Sequence, residues 1–213
     1  SDVYKRQEND LWLTGGLKIT PLKDWTINVD YTYNMYILSK QQHGKEILEH
    51  TANPDIVTVF PHTTPSRVKF TTDDNYYQTF NAYTDYSKSL GKHNIKLLLG
   101  YNYETKSYRW FNAERENLIS NDLAGLGQAY GEKYNGSGQH SWATMGYFAR
   151  INSNYDERYL LELNGRYDGS SKFPKDKRFV FFPSISAAWR ISSEAFFEPA
   201  KKIVDAVSYT HLR

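Results

Sequence analysis

The side chains with the plainest chemistry in this chain are aromatic. Tyr108, Trp110 and Phe111, followed by Tyr130 and Tyr134, crowd one otherwise polar stretch. Such rings are apolar on their faces, and Tyr and Trp carry a polar tip, so they stack well on flat hydroxylated ligands. These five are the candidate ligand or partner contacts; the alternative is a loop that packs on its own aromatics. A second set is charged: Asp30, Lys96, Arg150, Glu162, Arg166 and Arg190 each interrupt an apolar run. Arg150, Glu162 and Arg166 fall on neighbouring segments. The preferred reading is a ladder of cross-strand ion pairs that fixes register, the other a polar wall along a solute path. Lys172, Lys175, Lys177 and Arg178 form a basic loop, read as a solvated tip or a contact for phosphates.

Catalytic chemistry finds little support. The histidines at 43, 50, 62, 93, 140 and 211 lack metal-ligand spacing. Asp73-Asp74 and Asp168 suit turn and loop solvation better than calcium binding, and Asn135-Gly136-Ser137 is a sequon on paper only. No serine has an evident base beside it. Neither an enzyme nor a metal or other cofactor is expected.

The elements that position these side chains are β-strands. From Trp25, the odd positions read Trp25, Ile27, Val29, Tyr31, Tyr33, Met35 and Ile37, while the even ones read Thr26, Asn28, Asp30, Thr32, Asn34 and Tyr36. Successive side chains of a strand point to opposite faces, so one face is oily and the other wet. The run is long for a soluble strand and sufficient for the 9–11 residues of a tilted membrane strand. The pattern returns, giving about seven long strands near 10–20, 25–40, 67–90, 94–104, 141–155, 159–168 and 179–191. An irregular patch is expected at 73–75, a short helix at 114–119 and another from Ser193 through Val204, capped by Ser192 or Ser193. The connections alternate short and long, with polar stretches 41–66, 105–140 and 169–177. That is an antiparallel up-and-down meander with all long loops on one side, as in bacterial outer-membrane barrels.

Composition agrees with this reading. Aromatics make up 16% of the 213 residues, too many for a disordered chain. No run of 18 apolar residues exists, so a transmembrane helix is excluded, but alternating strands keep hydropathy low in any case. The net charge of +2 asks for no nucleic acid, and the lack of cysteine leaves no disulfide framework. Segments 1–7 and 207–213 resemble translated sequencing adapter and are set aside, which leaves 8–206 as one partial barrel domain cut at both sides.

Several blocks carry a family resemblance. Trp142-Ala143-Thr144-Met145-Gly146-Tyr147-Phe148-Ala149-Arg150-Ile151-Asn152 is one. Asn164-Gly165-Arg166-Tyr167-Asp168-Gly169-Ser170-Ser171-Lys172-Phe173 is another, and Arg178-Phe179-Val180-Phe181-Phe182-Pro183-Ser184 continues it. Together with Gly100-Tyr101-Asn102-Tyr103-Glu104 they resemble the SusC/RagA family of TonB-linked outer-membrane proteins over most of residues 70–200. The resemblance implies a barrel of about 22 strands around a plug. It implies uptake of oligosaccharide or peptide, energised through TonB, under a SusD-like lipoprotein lid. Plug and TonB-contacting segment would lie outside these residues, which would form wall and loops against outer-membrane lipid. The five aromatics would then meet cargo or lid, and the six charges would form a lumenal wall. The competing class is a surface or secreted carbohydrate-binding β-sandwich, which would bury one face of each strand in a core.

Overall fold

The structure, a computed structural model, describes residues 2–50, 52–53, 55–202 and 208–212. Eight strands form one sheet: β1 (Val3–Leu22), β2 (Trp25–Gly44), β5 (Arg67–Leu90), β6 (His93–Glu116), β7 (Lys133–Tyr155), β8 (Tyr159–Ser170), β9 (Phe179–Trp189) and β10 (Tyr209–Leu212), hydrogen-bonded in that order. β3 (Leu48–His50) and β4 (Val57–Val59) pair as a separate hairpin. Residues 3–7 lie within β1, and 209–212 pair with β9. The turns at 23–24, 91–92 and 156–158 are tight, whereas 45–66, 117–132 and 171–178 are longer, so the alternation read from the sequence holds. This is an all-β antiparallel meander, open rather than closed.

Two compact units divide the chain. The first comprises residues 1–12, 34–77 and 106–141. Its small core is Val68, fully buried, with Leu118 and Ala129, packed by Phe70, Ala124 and Leu126. Side chains tie its loops to one another. The Ser66 hydroxyl accepts from the Leu118 N–H at 3.1 Å, and the Asn121 amide donates to the Glu46 carbonyl at 2.8 Å. Arg115 donates to the carbonyls of Gly131 and Leu126. The long loops are thereby fixed by polar bonds around a few apolar side chains.

The second unit comprises residues 13–33, 78–105 and 142–213. Here β7 and β8 pair with Phe148 opposite Arg166 and Asn152 opposite Glu162, and β8 and β9 pair with Tyr167 opposite Phe181. The odd residues of all three strands share one face. Tyr147 is 53% exposed, Leu161 40% and Phe181 58%, although all three are large and apolar. A water-soluble domain rarely leaves so long an apolar row uncovered. Among the described residues the remaining sheet has two strands of three residues, too small to cover it. The sandwich reading is therefore incorrect.

Other expectations are also corrected. β6 runs on to Glu116 and β7 begins at Lys133, so most of the expected loop 105–140 is strand. These extensions mix polar and aromatic residues on both faces, so the alternation of oily and wet residues that marks a strand is missing from them. No helix forms at 114–119: Glu114 and Glu116 belong to β6, and one 3-10 turn lies further on at Leu126–Gln128. Asp73-Asp74-Asn75 is regular strand inside β5. After β9 come 3-10 turns at Ile191–Ser193, without a side-chain cap, and Ala195–Lys202. Pro199 lies within the latter and has no N–H to donate. The expected helix end at 203–204 lies outside the described residues.

Candidate functional site

In the first unit, the aromatic candidates separate by strand parity. Tyr108 and Trp110 are two apart on β6 and share a face; Phe111 is on the opposite face, 52% exposed. The Tyr108 hydroxyl donates to Asp73 Oδ1 at 3.1 Å, and its ring lies 5.0 Å from that of His140 on β7. The Trp110 indole rests on glycines of β7. A Cβ added to Gly138 would come 2.5 Å from Trp110 Nε1, and one added to Gly136 would come 3.2 Å from the ring and 3.3 Å from the Asn112 amide. Only glycine lets the indole lie this close to the neighbouring backbone. Tyr134 stands at the start of β7, half exposed, and Tyr130 projects from the 117–132 loop at 72% exposure. The backbone of Tyr130 is held by its N–H to the Asn117 carbonyl, where Asn117 takes φ 57°. Tyr108 and Trp110 thus belong to one platform, together with Asp73, Asn112 and His140. The sequence carries a signal for it: glycines at 136 and 138 recur at strand spacing, within and just beyond the paper sequon.

On the same β5–β6 pair, Arg109 Nη2 meets Asp74 Oδ2 at 2.6 Å, with Asp74 buried. By parity this pair is on the face opposite Tyr108. Asp73 and Asp74 are therefore each committed to a β6 side chain, one per face. Among the described residues no group of three His, Cys, Asp or Glu gathers as a metal site.

In the second unit the polar face is a hydrogen-bonded row. The Asn81 amide donates to Asp30 at 3.4 Å, and the Asn102 amide donates to Asn81 at 2.5 Å, crossing β2, β5 and β6. The other Asp30 carboxylate oxygen is buried with no protein partner. Arg150 donates to Asn164 at 2.6 Å, and Asn164 donates to Glu162 at 2.7 Å. Arg150 and Glu162 themselves are 3.9 Å apart, bridged by that amide. Arg166 pairs not with Glu162 but with Asp168 two residues on, at 2.7 Å, and lies 5.8 Å over the Phe148 ring. That ring in turn lies against Gly100. Lys96 lines an open groove of about 410 Å³ with Asn94, Asn152, Asn154 and Glu162. Arg190 departs from the expected row: β9 stops at Trp189, and Arg190 reaches Glu157 of the 156–158 turn at 3.3 Å. Phe148, Val180 and Phe182 also fall on the polar-face parity, so that face is not uniformly hydrophilic.

The tight turns carry their own ion-pair cluster. Lys92 meets Asp156 at 2.9 Å, and Arg158 lies 3.4 Å from Asp156 and 3.3 Å from Glu194. Glu194 accepts from the Tyr159 hydroxyl at 2.7 Å and the Trp189 indole at 3.1 Å. The Lys92 hydrogen bond holds the Asp156 carboxyl below its ordinary range, and the Tyr159 and Trp189 hydrogen bonds do the same for Glu194.

Residues 1–199 match the family model described as TonB dependent receptor-like, beta-barrel. The chain belongs to this TonB-dependent receptor β-barrel family. Its relatives include the TonB-dependent receptor SusC of Bacteroides thetaiotaomicron, 26% identical over 196 residues, which cover 85% of this chain and 18% of that protein. TonB-dependent receptor P3 of Formosa agariphila is 30% identical over 123 residues, covering 57% of this chain and 12% of that protein. The solved RagAB peptide transporter has the same fold over 92% of this chain and 21% of that one, with a TM-score of 0.80 at 18% identity. The chain therefore spans about a fifth or less of these proteins. Family membership gives the sheet its setting, the wall of an outer-membrane β-barrel.

Proposed function

We propose that this chain is a section of wall from a TonB-dependent importer that takes up oligosaccharide beneath a SusD-like lipoprotein lid. One observation carries the reading: long strands whose apolar row stays uncovered while the opposite row is cross-linked by amides and charges. A wall between lipid and a hydrated lumen needs both properties at once. Asp30, Lys96, Arg150, Glu162 and Arg166 then form the lumenal side of that wall. Arg190 sits at its turn end instead. Oligosaccharide is favoured over peptide because Trp110 rests against Gly136 and Gly138, with Asn112 near the same glycines and the Tyr108–Asp73 pair on the same face of β6. An apolar ring face edged by hydrogen-bonding groups suits a sugar ring. The name of the RagAB peptide transporter keeps peptide as the second reading.

The test is Trp110→Ala in the full-length receptor purified with its lipoprotein. Glycan affinity is measured by calorimetry and uptake in cells with and without TonB. Loss of about tenfold in affinity, corresponding to one well-placed aromatic contact, is expected. Unchanged glycan affinity removes the cargo role of this platform, and TonB-independent uptake removes the importer reading.

A further inference from the structure

We infer that the polar row, where β8 and β9 meet the 171–178 loop, holds a subsite for a uronate, a sugar ring that carries a carboxylate. Such a subsite deepens the glycan reading and rests on the polar row being the lumenal wall. Arg166 stands opposite Phe148 of β7 and Phe182 of β9, so a charge is flanked by rings on both neighbouring strands. Phe182 is 54% exposed, and Phe173 of the loop 57%. Asn102, Arg166, Asp168, Phe173, Arg178 and Phe182 line one open groove of about 330 Å³. That is the small end of the range for ligand pockets, about 300–1,000 Å³. Gly146 gives the charged groups room: a Cβ there would collide with the Asp168 carboxylate and come 3.1 Å from Arg166 Nη2.

Charge selects the ligand. Asp168 balances one guanidinium, both of its oxygens accepting from Arg166 Nε at 2.7 Å. Arg178 has no such counterion. Its Nε donates to the Phe173 carbonyl at 3.1 Å, and no described residue forms an ion pair with it. Lys172 adds a positive charge on the same side, 4.9 Å over the ring of Trp142, two residues from Thr144 of the groove. The outer end of the Arg178 fork is thus left for an anion, and a carboxylate matches it in shape as well as charge. The apolar face of a sugar ring packs on an exposed phenyl ring beside it. A neutral sugar would use the rings but desolvate the guanidinium without a countercharge. An acidic protein segment could also match the charge. The groove, however, lies at the opposite end of β8 from the 156–158 turn, beside a long loop, where cargo arrives first.

The test titrates glucuronate, galacturonate, glucose and galactose against the full-length receptor with its lipoprotein, read by saturation-transfer NMR. At least one uronate should bind about tenfold more tightly than its neutral counterpart, a preference that weakens as salt rises. Arg178→Gln should erase the preference. Phe182→Ala removes an exposed ring and should lower uronate affinity about fivefold. Band-shift electrophoresis checks that each variant barrel is folded. Trp110→Ala should leave the preference intact, so this subsite and the Trp110 platform fail separately. Equal affinity for acidic and neutral sugars overturns the proposal, as does a preference that survives Arg178→Gln. Absence of sugar binding overturns it too, and is the result expected if a protein segment fills the groove.

Discussion

At the scale of single residues, the close approach of rings to strand glycines sets the geometry of both units. Trp110 lies on Gly136 and Gly138, and Phe148 lies against Gly100. A ring that covers a neighbouring glycine shields backbone which lacks a side chain, and fixes its own rotamer in doing so. Gly138→Val should therefore displace the indole and destabilise the fold by about 1–3 kcal/mol, as overpacking does. Denaturant unfolding followed by tryptophan emission measures this. The Arg150–Asn164–Glu162 group makes a contrasting prediction. Both charged side chains are substantially exposed, at 50% and 35%, and separated by 3.9 Å. A double-mutant cycle with Arg150→Gln and Glu162→Gln should give a coupling below about 1 kcal/mol. A larger coupling would mean that the pair is screened from water by something packed over the polar face.

At the scale of elements, the tight turns are held by charge and the long loops by buried polar bonds. Asp156 and Glu194 titrate below their ordinary values of 3.8 and 4.5 because the native state hydrogen-bonds their charged forms. As pH falls, the unfolded chain takes up these protons first. The contribution of both groups is therefore complete above the ordinary values and is lost as pH drops through the lower native ones. D156N/E194Q should flatten the acid limb of the stability curve, measured by thermal band-shift electrophoresis across that range. An unchanged acid limb would show that the cluster contributes nothing.

Strand positions were legible wherever one face is oily. The run from Trp25 and the span Arg67–Leu90 are strands as expected, because an apolar row on one face and a polar row on the other impose a period of two. Residues 105–116 of β6 and 133–140 of β7 were not legible, since polar and aromatic residues mixed on both faces carry no such contrast. For the same reason the five aromatics read as one loop cluster, whereas parity places Phe111 apart from Tyr108 and Trp110. The partner of Arg190 was hidden too: Glu157 is brought to it by a turn with positive φ at Asp156 and Glu157, which spacing does not reveal. Asp168, two positions on from Arg166 in the same strand, was within reach of the period of two.

At the scale of the whole molecule, the account rests on which medium touches which row of the sheet. A basic residue placed on the apolar row, as in Leu163→Arg, should cost about 2–4 kcal/mol in a bilayer if it lies near midplane. The same residue at Asn164 should cost far less, because that position lies on the polar row. The most direct measurement is a nitroxide scan along β8 at positions 160–167, in the full-length receptor reconstituted in lipid. Collision rates with oxygen, which partitions into bilayers, and with a water-soluble nickel chelate are compared at each site. The account predicts a period of two, with oxygen favoured at 161, 163 and 167 and nickel at 162, 164 and 166. Equal accessibility at neighbouring positions, or the opposite phase, would contradict it.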